Sequence, residues 1–138
     1  MTDISIITVA GPNSQELLTR NIQLIKKLNP TSNFNFYVID NSSSAGGKPI
    51  EKNDDWTVFD GVEMVNKEMY GTNYASMHHA LALNKFLQEN EILTDLCLIL
   101  DPDFYVFKPR WISLINDIML KEKLSLLGAP WHPKWFTK

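Results

Sequence analysis

The chain has 138 residues, with 13 basic against 16 acidic side chains, a formal charge of −3, and 44% apolar against 21% charged residues. That is the length of one domain with an ordinary globular composition, and the slight acidity leaves no basic footprint for nucleic acid or an anionic membrane. The N-terminus MTDISIITVAG lacks the basic region and apolar stretch of a signal peptide, and no apolar run reaches the roughly 18 residues of a membrane span, so the expectation is a single cytoplasmic domain over 1–138.

Residues 4–10, ISIITVA, read as a buried strand rich in β-branched residues, ended by Gly11 and Pro12. Asn13 then takes the N-cap position, with Glu16 three residues on as in a capping box. Leu17, Leu18, Ile22, Leu24, Ile25 and Leu28 form a helical stripe that Pro30 stops. A second strand, 34–39, leaves through the polar loop Asp40-Asn41-Ser42-Ser43-Ser44. The Gly46-Gly47 pair after it lacks phosphate-loop spacing and reads as a turn. A short third strand is predicted over 56–59, continuing through 62–65, followed by a helix over about 74–90 with a wide apolar face.

Residues 96–100, LCLIL, form an apolar run that reads as a fully buried strand, with Cys97, the only cysteine, as a buried thiol. The run opens directly onto Asp101-Pro102-Asp103. Two acids this close repel each other unless a cation lies between them, and a hard divalent ion that also carries phosphates is the usual answer. Pro109 opens a last helix containing Trp111 to Met119, and 124–127, LSLL, suggest a final strand before the tail GAPWHPKWFTK.

Strands alternating with helices imply a three-layer α/β/α sandwich around a mostly parallel sheet. Ligands then bind outside the carboxyl ends of the strands. That rule brings Thr8 to Gly11, Asp40 to Ser44 and Asp101 to Asp103 to one edge.

In this order ISIITVAG, YVIDNSSS, GTNYASMHHALALNKF and LCLILDPDF resemble the nucleotide-sugar-binding half of GT-A glycosyltransferases, nearest the family 2 group, over about residues 4–107. The resemblance implies a metal-dependent transfer of sugar from a nucleotide diphosphate, with uridine diphosphate sugars favoured. It assigns nucleoside contacts to Thr8, Val9 and Asp40, direct Mn²⁺ or Mg²⁺ ligation to Asp103, and a ribose or metal-water contact to Asp101. His132 and His79 are further candidates near the metal; of the adjacent pair His78 and His79, one is expected to pack or cap and the other to face solvent. Such domains usually continue further, into an acceptor half that supplies a general base. After Asp103 the only carboxylates are Asp117 and Glu122.

Plainer readings stand beside these. The Asp-x-Asp could cap a loop, Asp40 could form a turn, and Lys108 and Arg110 could be solvated cations rather than phosphate contacts. Trp131 and Trp135 could stack on a sugar or close the core, and the aromatic tail from Gly128 suits an acceptor site or a homodimer contact. The rival functions are a non-catalytic nucleotide-sugar-binding or interaction module and, more remotely, a haloacid dehalogenase-type phosphohydrolase. The latter is disfavoured because Tyr105 replaces its Thr or Val.

Overall fold

The computed structural model describes residues 3–128. In chain order it holds β1 (Asp3–Ala10), α1 (Gln15–Leu28), β2 (Asn33–Asp40), β3 (Thr57–Asp60), a single-turn α2 (Lys67–Tyr70), a 3-10 turn over Gly71–Asn73, α3 (Tyr74–Glu89), β4 (Leu96–Ile99) and α4 (Trp111–Lys121). The four strands form one sheet in the order β3-β2-β1-β4. Every pairing is parallel, with Ala10 opposite Asp40, Asp40 opposite Asp60, and Ile7 opposite Ile99. The chain is thus α/β, as its alternation predicts.

Alternation along β1 sends its side chains to two cores. Ile4, Ile6 and Ala10 pack with Phe36 and Val38 beneath Leu18, Ile22 and Ile25 of α1 and Trp111 and Ile112 of α4. Ile7 and Val9 pack with Ile39 on the other face, beneath Ala82 and Phe86 of α3. Helices therefore cover both faces, which is why β1 reads as a nearly continuous apolar run. Among the described residues no helix is long and apolar enough to cross a membrane.

Five details differ from the sequence expectation. β4 is an edge strand paired only with β1, and its face toward α3 is open, so Cys97 and Ile99 are exposed rather than buried. The helix on that face packs over β1 and β2 and leaves β4 uncovered. Residues 124–127 form no strand, and Leu126 is 86% exposed. β3 stops at Asp60, and 62–65 are irregular. Ser14, not Asn13, is the N-cap of α1, without a side-chain bond, because Asn13 occupies the left-handed region at φ 64°. Finally, the buried face of α3 is narrow, limited to His78, Ala82 and Phe86, and Leu81 and Leu87 face outward.

Candidate functional site

The strand order creates a crevice. From β1 the chain passes through α1 to β2 on one side, then to β3 beyond it, and returns through α3 to β4 on the opposite side of β1. The reversal point lies between the carboxyl ends of β1 and β4, where open α/β sheets bind ligands. Two loops meet there: Gly11 to Ser14 after β1, and Asp101 to Phe104 after β4.

The second loop is a tight turn. The Phe104 N–H donates to Asp101 O at 3.0 Å, with Pro102 at the first central position, where its fixed φ suits such a turn. Leu100 N donates to Ile7 O at 2.9 Å, which pins the turn to β1. Asp101 and Asp103 are exposed, and among the described residues neither carboxylate accepts a hydrogen bond. Among the described residues the one basic side chain beside either acid is the His79 imidazole, from α3. Its Nε2 lies 3.6 Å from Asp101 Oδ1, an ion-pair distance rather than a hydrogen bond. The structure therefore brings His79 beside Asp101, with Asp103 two residues further on in the same turn.

The turn is also tied from behind, by a residue the sequence reading passed over. Asn21 lies on the buried face of α1, 1% exposed, and its Nδ2 donates to Phe104 O at 3.1 Å and to Pro102 O at 3.4 Å. The signal was present in the stripe Leu18, Asn21, Ile22, Ile25, where an amide interrupts an apolar face. Tyr105 extends the tie, its hydroxyl donating to Leu17 O at 3.3 Å.

Asp40 sits on the same carboxyl edge as Asp101, but its carboxylate is engaged. Oδ1 accepts from the Ser42 N–H at 2.8 Å and from the Ser42 hydroxyl, and Oδ2 accepts from Ile50 N at 2.8 Å. It folds the 41–50 loop over the edge as an Asx-type turn. Gly47 lets that loop approach closely, since a Cβ there would stand 3.1 Å from Pro12 Cα. Asn41 carries the tie onward, Oδ1 accepting from Val62 N at 3.0 Å and Nδ2 donating to His78 O at 3.1 Å. His78 is buried, with Nε2 at 3.1 Å from Val62 O and 3.0 Å from Ser44 Oγ. Because the Ser44 hydroxyl donates to Asn41 O, the proton is assigned to Nε2. Of the two adjacent histidines His78 is thus the one that packs and joins loops, while His79 is partly exposed.

The side chains of Thr8 and Val9 are 1% and 5% exposed, and Thr8 Oγ1 has no partner. A ligand at this edge meets Gly11 to Asn13 before either of them. Lys108 and Arg110 are exposed. The Arg110 backbone N–H donates to Leu28 O, at the opposite end of α1 from the turn. His132, Trp131 and Trp135 lie outside the described residues.

Two further clefts lie at opposite edges of the sheet. One of about 610 Å³ opens beside Asp40 and Asp60, with Ser43, Glu63 and Lys85 in its walls. Lys85 Nζ donates there to Gly61 O at 3.1 Å. Another of about 500 Å³ lies at the amino ends of the strands, around Asn33, Asn35 and Asp95. It holds a single carboxylate and sits at the edge that α/β sheets do not use for ligands.

Among the described residues no group of three or more His, Cys, Asp or Glu side chains is close enough to enclose a metal ion. The available donors are two exposed carboxylates and an imidazole. That set suits a hard cation that keeps water and phosphate in most of its positions, and does not suit a closed zinc-type cage. No protein-family model matches the chain, and neither a curated protein nor a solved structure is significantly similar to it.

Proposed function

We propose that the protein binds a nucleotide diphosphate sugar, preferentially a uridine diphosphate sugar, with Mn²⁺ or Mg²⁺ at the β1–β4 crevice, and that it is a glycosyltransferase of GT-A type. One observation carries this reading: both acids of the switch-point turn are exposed and accept no hydrogen bond among the described residues, whereas Asp40 is bound into the fold. Asp103 would hold the cation directly, with Asp101 beside it toward ribose or metal-bound water. When bound, the cation would stabilise the negative charge that builds on a departing diphosphate and fix its orientation. His79 would orient Asp101 across the 3.6 Å gap. The backbone of Gly11 to Asn13 and the folded 41–50 loop would wall the nucleoside side.

The binding-module reading keeps one specific support. The late carboxylates lie in α4 (Asp117) and at its end (Glu122), on a helix that begins at the far end of α1, where Ile112 N is bonded to Asn29, and among the described residues no hydrogen bond or ion pair joins either to the acidic turn. Titration calorimetry of uridine diphosphate with Mn²⁺ tests the shared binding claim. Wild type should bind only with the metal present, and Asp103→Ala should lose at least tenfold, about the worth of one charge-assisted contact. Unchanged affinity in Asp103→Ala would remove the reading. Turnover of uridine diphosphate sugars by wild type separates the transferase from the module.

A further inference from the structure

We propose that Asn21 is the positioning residue of the acidic turn, setting the direction of the Asp103 carboxylate from inside the core; the proposal rests on the reading of that turn as a cation and phosphate site. Asparagine is a poor choice in mid-helix because it loses side-chain freedom and competes for backbone partners. It is poorer still on a buried stripe, where the neighbouring buried positions are Leu18, Ile22 and Ile25. A buried amide persists where its hydrogen bonds do something that an apolar residue would not.

Here the two carbonyls reached by Nδ2 belong to Pro102 and Phe104, the residues on either side of Asp103. The peptide plane that precedes Asp103 and the one that follows Phe104 are thereby anchored to α1, bracketing the acid. The Asp103 carboxylate, which accepts no bond of its own among the described residues, is aimed by its backbone alone. Tyr105 adds a second tether one helical turn earlier on α1, at Leu17. Asn21 Oδ1 is buried with no partner, so the amide acts through its donor side only.

That asymmetry separates positioning from general packing. Asn21→Leu keeps the branched shape at a somewhat larger volume, removes the orphaned acceptor and deletes both bonds to the turn. Overall stability should therefore change little, while the turn loosens. The experiment measures three quantities in wild type, Asn21→Leu and Asn21→Ala. These are the urea midpoint, amide hydrogen exchange residue by residue without ligand, and affinity for uridine diphosphate with Mn²⁺.

Exchange at Phe104 should quicken about tenfold in both variants while Val38 and Ile39 in β2 remain as in wild type. Nucleotide affinity should fall by about tenfold with no matching loss of midpoint in Asn21→Leu. Unaltered exchange at Phe104, unaltered affinity, or a rise in exchange shared by the whole sheet would overturn the proposal. Failure of both variants to fold would also overturn it, marking Asn21 as a general core residue. The exchange arm needs no ligand. A wild type that binds no nucleotide would therefore refute the functional reading, while exchange still decides whether Asn21 holds the turn.

Discussion

Asp40 and Asp103 look alike in the sequence, each an acid at a strand exit, and the structure gives them opposite situations. Asp40 accepts from Ser42 and from Ile50, ten residues away, and so belongs to the loop it folds. Asp103 is left to the solvent. The difference is not legible locally, because it depends on where Ile50 comes to rest. Cys97 makes the same point from the other direction. It lies in an apolar run but on the open face of an edge strand, so its side chain is exposed while adjacent apolar groups still desolvate the thiol and push its pKa up from the ordinary value.

Only the thiolate is a good nucleophile. Iodoacetamide should therefore alkylate Cys97 more slowly than a free cysteine at neutral pH, with the rate rising through the alkaline range. The sign for stability follows from linkage. The folded state holds the proton more tightly, so its contribution is full below the unfolded thiol's pKa and is lost as pH rises above the ordinary thiol range through the raised folded pKa. Alkylation as fast as that of a free thiol at neutral pH would contradict the assignment.

At the scale of elements, periodicity located β1, α1, β2, α3, β4 and α4 to within a residue or two, because each buries a stripe or a face. It failed where the partner decides. An apolar run cannot report whether it lies in mid-sheet or at an edge, so the pattern alone makes β4 a buried strand. Leu124 to Leu127 have strand-like composition but no strand to pair with among the described residues. Nor does the pattern reveal how α1 and α4 dock.

That contact is made by Asn29, 2% exposed, whose Nδ2 donates to Ile25 O at 2.9 Å and whose Oδ1 accepts from Ile112 N at 3.0 Å. The side chain closes one helix and starts the other. Asn29→Ala leaves the buried Ile112 N–H without a partner and should cost about 2 kcal/mol in urea denaturation. A loss below about 0.5 kcal/mol would mean that water or a shifted backbone replaces the bond.

For the molecule as a whole, the parallel sheet and its functional edge were legible because strand–helix alternation leaves few topologies open. Strand order was not, since nothing local says that β4 lies on the opposite side of β1 from β2. That order is what puts Asp101 and Asp103 at a reversal point rather than at an arbitrary edge, and what brings His79 across to them. The central claim is therefore one of place. Addition of Mn²⁺ with uridine diphosphate to isotope-labelled protein tests it directly, because the paramagnetic ion broadens the amide signals nearest to it. The account predicts broadening centred on Asp101 to Phe104, reaching Gly11 and His79, while Asn33, Asn35 and Asp95 at the opposite edge stay sharp. Broadening centred on any other acids, such as Asp60 and Glu63, or none at the turn, would contradict it.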